Sequence, residues 1–210
     1  MMSESENSPS GGAPRVGAGA FDVVGIAASA GGLTALSHVL GGLPAEFPAA
    51  VMVVQHLDPH HRSLMADILG RRTRLAVTQA AEGDRLSAGH VFFAPPDRHL
   101  LVNQDGTLSL TQSELVHFLR PSADLMLDSL AAAYGERALA VVLTGTGGDG
   151  SMGVQAIKKM GGTVIAQNAE TCDFFGMPFA AIRTGCVDHV LALDDIAPML
   201  INLMTRKVTE

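Results

Sequence analysis

Three residues of this chain have the types and positions that nucleophilic acyl transfer needs: Ser29, His56 and Asp149. A serine hydroxyl is a poor nucleophile until a base takes its proton. An imidazole can be that base, and a carboxylate fixes the imidazole tautomer and stabilises the imidazolium. Ser29 lies in Gly25-Ile26-Ala27-Ala28-Ser29-Ala30-Gly31-Gly32, where an apolar run empties into very small residues before a helical pattern begins. The segment has the form of the nucleophile elbow G-x-S-x-G, with Ala27 in the first small position and Gly31 in the last. His56 closes the apolar run Val51-Met52-Val53-Val54-Gln55, and Asp149 stands in Thr144-Gly145-Thr146-Gly147-Gly148-Asp149-Gly150, just after Ala138–Leu143. Each has a plainer reading. Ser29 could cap the next helix, His56 could be a hydrogen-bonded histidine at a strand end, and Asp149 could form a turn or cap. Their joint occurrence at three strand ends, where open α/β sheets bind ligands, favours the catalytic reading. The order Ser…His…Asp departs from the Ser…Asp…His order of α/β-hydrolases.

The elements that must position these residues alternate. Strands are expected at Asp22–Ala28, Ala49–Gln55, Ala138–Leu143 and Thr163–Gln167. Helices are expected at Gly32–Gly41, Ser63–Arg72, Pro121–Tyr134, Ser151–Met160, Pro178–Arg183 and Asp195–Lys207. Pro121 is pre-set for a first helical turn. Short strand-like pieces at Ala76–Gln79, His90–Ala94, Leu100–Asn103 and Thr107–Thr111 interrupt the alternation, with Gln104-Asp105-Gly106 as a hairpin turn. The pattern predicts an α/β fold: a three-layer α/β/α sandwich around a mostly parallel, doubly wound sheet, with an inserted antiparallel hairpin.

Composition narrows the function. The 210 residues are 47% hydrophobic and 17% charged, which suits one core-rich domain. A net charge of −7, no Lys/Arg cluster beyond Arg71-Arg72-Thr73-Arg74 and no Trp argue against a nucleic-acid partner. Two cysteines, Cys172 and Cys186, form no disulfide framework, and no apolar stretch reaches the ~18 residues that span a bilayer, so a cytoplasmic protein without membrane insertion is expected. Residues 1–20, rich in Ser, Gly, Ala and Pro, read as a disordered tail before a domain at 21–207. His56, His60 and His61 have H-x3-H-H spacing. Pro59 opposes a regular helix there and no acidic or Cys cluster joins them beyond Asp58, so no metal is expected. Neither Gly-rich loop matches G-x-G-x-x-G or Walker A, and no cofactor is expected. Cys172 as a nucleophile and a nucleotide-binding α/β protein are the weaker readings.

Several of these motifs together resemble the CheB-type chemotaxis methylesterases. Gly25–Gly32 is similar to their serine motif, Val53-Val54-Gln55-His56 to their histidine motif and Val142–Gly150 to their aspartate motif. Ala94-Pro95-Pro96-Asp97-Arg98-His99, Arg120-Pro121-Ser122-Ala123-Asp124, Ile165-Ala166-Gln167 with Glu170-Thr171-Cys172, Phe175-Gly176-Met177-Pro178 and Gly185-Cys186-Val187-Asp188 extend the match over roughly 21–203. The resemblance implies hydrolysis of glutamyl methyl esters, and of some glutamine carboxamides, on the cytoplasmic helices of methyl-accepting chemoreceptors. It implies Ser29 as nucleophile, His56 as general base, Asp149 as its orienter, and the backbone N–H of Thr146 as an oxyanion donor. Thr146 stands where the family has methionine, which a backbone role tolerates. Ala30 stands where many members have threonine, so a hydroxyl is missing, and Pro96 replaces a common glycine. Members carry an N-terminal receiver domain that covers the active site. Only about twenty residues precede the domain here, so the expectation is either a constitutively open enzyme or control by a separate receiver protein. The alternative function is a catalytically silent docking or scaffold module in another sensory system.

Overall fold

The computed structural model describes residues 12–56 and 64–205. Seven strands form one parallel sheet: β1 (Val23–Ala28), β2 (Ala50–Gln55), β3 (Ala76–Gln79), β4 (His90–Phe93), β7 (Ala138–Val142), β8 (Thr163–Gln167) and β9 (His189–Leu191). Their order is β3-β4-β2-β1-β7-β8-β9. Two further strands, β5 (His99–Val102) and β6 (Leu108–Thr111), pair antiparallel as a separate hairpin. The helices are α1 (Gly32–Gly41), α2 (Met65–Gly70), α3 (Ala123–Tyr134), α4 (Ser151–Lys159), α5 (Gly176–Arg183) and α6 (Leu193–Thr205).

The three layers follow from strand alternation. β1, β2 and β7 are buried throughout, so their apolar residues run without a polar face. Val23, Ala27, Met52, Val54, Ala140 and Val142 face one core with Met126, Leu127 and Leu130 of α3, Val154 and Ile157 of α4, and Leu100 and Leu108 of the hairpin. Val24, Ile26, Val51, Val53, Leu139 and Val141 face the other with Leu36 and Val39 of α1, Leu69 of α2 and Leu200 and Leu203 of α6. The chain runs from β1 to β2, passes to β3 at the sheet edge, comes back to β4 between them, and after the hairpin returns to β7 on the other side of β1. β1 is therefore the switch point, and the carboxyl ends of β1, β2 and β7 meet there.

Expected and observed elements differ in instructive places. Strand β9 was not expected. Its three residues are too few to show a period, and Val190 stays half exposed at the sheet edge. Pro121 lies outside α3, because the extended Ser122 is the N-cap and accepts from the Leu125 N–H. Part of the segment read as a disordered tail is held on the domain. Ala13 is buried and its N–H donates to Ala133 O at 2.9 Å, Val16 N–H donates to the buried Asp22 carboxylate at 2.8 Å, and Ala20 N–H donates to Met204 O at 3.1 Å. Composition hid this, since the anchors are single residues among Gly, Ala and Pro. Among the described residues no helix is long and apolar enough to cross a membrane.

Candidate active site

Ser29 is the first residue past β1. Its N–H donates to Thr144 O across the sheet at 3.0 Å, and its carbonyl accepts from Gly32 N–H at 2.9 Å. The plainer reading of Ser29 as a helix cap does not hold, because the N-cap of α1 is Gly31, left-handed at φ 78° with no side-chain hydrogen bond. That φ suits glycine and turns the chain sharply enough to leave the serine partly exposed at the bend. A second glycine makes room for it. A Cβ on Gly145 would stand 2.8 Å from Ser29 Cβ and 2.4 Å from Met177 Sδ.

His56 is the first residue past β2, with its N–H on Ala28 O at 3.1 Å. Gln55, just before it, turns its Nε2 to two carbonyls, Ser29 O at 2.7 Å and His56 O at 3.1 Å. This buried amide ties the ends of β1 and β2 together. The His56 ring is only 10% exposed, and its Nε2 bonds Asp149 Oδ2 at 2.8 Å. A carboxylate that accepts from Nε2–H leaves Nδ1 as the ring nitrogen with a free lone pair. Ser29 and His56 line one cleft of about 470 Å³ with Ala30, Gly31, Gly32, Leu33, Thr34, Gln55 and Met65. Among the described residues Ser29 Oγ makes no hydrogen bond, so the serine and the histidine share a cleft without touching through one.

Asp149 is almost wholly buried, at 3% exposed. Its Oδ1 accepts from Ser122 Oγ at 2.9 Å, Asp124 N–H at 3.0 Å and Gly150 N–H at 3.1 Å. Its Oδ2 accepts from Ala123 N–H at 2.6 Å as well as from His56. The carboxylate therefore sits on the positive end of α3, a favourable place for an anion. Burial pushes this carboxyl up, but the bond to His56 and those from the Ala123 and Asp124 N–H groups outweigh it and hold it below the ordinary carboxylate range. Ser122 is itself set by the hairpin, since its N–H donates to Nδ1 of the buried His99 at 3.1 Å, while His99 Nε2 donates to Glu114 O.

Thr146 is exposed at the tip of the loop after β7, and its N–H has no acceptor among the described residues, unlike Gly145 N–H, which donates to Phe174 O at 2.9 Å. Cys172 does not line the cleft of Ser29 and His56; burial and the charge of Asp173 push its thiol up to about 11, which makes it a poor nucleophile. His60 and His61 lie outside the described residues. Gln55, Ser122 and Asp124 stand in the motifs quoted above, but the sequence assigns them no role at the site. Ser122-Ala123-Asp124 before an apolar run does carry a helix-start signal, but nothing in it reveals that the helix end faces a carboxylate from another loop.

Comparisons with known proteins concern the chain as a whole. The family model described as CheB methylesterase matches residues 24–200. The protein-glutamate methylesterase/protein-glutamine glutaminase 2 of Pseudomonas aeruginosa is 40% identical over 188 residues, covering 88% of this chain and 54% of its own length. Its namesake in Anaeromyxobacter dehalogenans is 43% identical over 185 residues, covering 88% and 54%. The chain thus spans about half the length of these relatives. The crystal structure of the Thermotoga maritima CheB methylesterase catalytic domain superposes with a TM-score of 0.84 at 39% identity, covering 87% of this chain and 98% of that one. A match of this extent, in sequence and in three-layer architecture alike, places the chain in the CheB methylesterase family.

Proposed function

We propose that this domain hydrolyses glutamyl methyl esters, and the corresponding glutamine carboxamides, on the cytoplasmic helices of chemoreceptors, with Ser29, His56 and Asp149 as its catalytic triad. The observation that carries the reading is the 2.8 Å bond from His56 Nε2 to an Asp149 carboxylate held by four further donors, beside a cleft that Ser29 and His56 share. In this mechanism His56 Nδ1 takes the Ser29 proton as Oγ attacks the ester carbonyl carbon. The Thr146 N–H donates to the oxyanion that forms. Collapse breaks the carbon–methoxy bond, and the imidazolium protonates the leaving group as methanol. A water then attacks the acyl-enzyme, with His56 again as base, and releases the glutamate carboxylate and free Ser29. A carboxamide follows the same path with ammonia as the leaving group.

Methanol release from membranes that carry methylated receptor of the same cell tests this. Ser29→Ala and His56→Ala are each expected to lower turnover by at least ~10⁴-fold while the domain stays folded. A fluorophosphonate probe is expected to label wild type at Ser29. Wild-type turnover in Ser29→Ala would overturn the mechanism. A folded domain that binds receptor but neither takes the probe nor releases methanol would instead be a docking module.

A further inference from the structure

The motif Arg120-Pro121-Ser122-Ala123-Asp124 contributes more than the donors that reach Asp149. Asp124 lies in the first turn of α3, yet its Oδ1 accepts from the Met152 and Gly153 N–H groups of α4, at 2.9 Å and 2.8 Å. Asp149 lies just before α4, yet its carboxylate accepts from the Ala123 and Asp124 N–H groups of α3. Each helix start is therefore capped by an acid that belongs to the other. The four first-turn N–H groups of a helix lack intrahelical partners, so the two exchanges satisfy both ends at once and fix them against each other.

The Asp124 side chain is 7% exposed, and its Oδ2 accepts no hydrogen bond. The exposed His117 brings its Nε2 to 3.6 Å from that oxygen. Burial pushes the Asp124 carboxyl up against the pull of the Gly153 and Met152 N–H groups, and the nearby Asp149 charge pushes it further. A second buried acid beside the first is costly, and the two N–H groups of α4 are what offset that cost here.

We propose that Asp124 is a positioning residue for the triad: by capping α4 from α3 it sets the position of the Asp149 carboxylate, and through it the orientation of the His56 ring. The idea rests on the catalytic reading of Ser29, His56 and Asp149.

The test pairs kinetics with an NMR readout of the His56 Nε2–H proton, which reports the bond to Asp149 whether or not the domain is an esterase. Asp124→Ala is expected to lower kcat about 10- to 100-fold, the scale of a small misplacement near reacting atoms, with KM within about twofold. The downfield Nε2–H signal should weaken or shift. Asp124→Asn keeps an oxygen acceptor for Met152 and Gly153 and is expected to restore both kcat and the signal. An Asp124→Ala protein with wild-type kcat and an unmoved Nε2–H signal would overturn the proposal. If Asp124→Ala does not fold, Asp124→Glu takes its place, because the extra methylene displaces the carboxylate from the Met152 and Gly153 N–H groups: a folded Glu variant with wild-type kcat and an unmoved Nε2–H signal would overturn the proposal. Should wild type release no methanol, the esterase reading fails, while the signal still tells whether Asp124 positions Asp149.

Discussion

Ser29 owes its place to close neighbours as much as to its own turn. The sequence shows the small residues around it and the apolar run before it, and from these the bend and its serine were legible. The tightness of the loop that faces it was not, because Gly145 lies in another motif and shows its purpose only when β7 stands beside β1. Gly145→Ala would bring a methyl group within 2.8 Å of Ser29 Cβ. It is expected to slow fluorophosphonate labelling about 10- to 100-fold and to cost about 1–3 kcal/mol in urea unfolding, as overpacking does. An Ala variant that labels at the wild-type rate would show that the serine tolerates the displacement. The Gln55 amide escaped notice for a related reason. A glutamine that ends an apolar run reads as the strand's first polar residue, and its two carbonyl partners become visible only once the strands are side by side.

At the scale of elements, the sequence revealed most helices and strands, since the apolar β-branched runs and the helical patterns are strong local signals. It missed the three-residue edge strand β9, which is defined only by pairing with β8, and it began α3 at Pro121 where the local cap Ser122 starts it at Ala123. That start has a measurable consequence. A carboxyl held below its unfolded value of ~3.9 stabilises the fold fully above that pH, and the contribution disappears as the pH falls through the lower folded value. Asp149 is such a group. Asp124 is raised, so its protonation on acidification partly offsets the loss. Asp149→Asn is therefore expected to lower stability at neutral pH and to flatten its fall below about pH 4, as followed by urea unfolding across the acid range. An Asn variant with the wild-type acid slope would show that other carboxylates dominate it.

At the scale of the whole molecule, the layered α/β architecture was readable from the alternation of elements, whereas the anchoring of residues 12–20 was not. Asp22 is fully buried and is met by Arg137, by Arg15 at 3.3 Å and by the Val16 N–H. A chain that begins at Phe21 would leave this acid with fewer donors and uncover the face that Ala13 covers. The expected cost is on the order of 2 kcal/mol, which for a domain of this size corresponds to about 4–8 °C in Tm. An unchanged melting temperature would show that the segment only lies on the surface. The return of the chain to β7 carries one more consequence. Val23 pairs with Ala50 on one side and with Ala138 on the other, so Ser29 and His56 can be brought together early in folding, but Asp149 reaches them only when the longest loop in the sheet has closed. Loop closure over such a separation is slow relative to local structure. A nascent chain that has emerged only as far as α3 therefore holds Ser29 and His56 without Asp149, and the bond between His56 and that carboxylate forms only as the fold is completed.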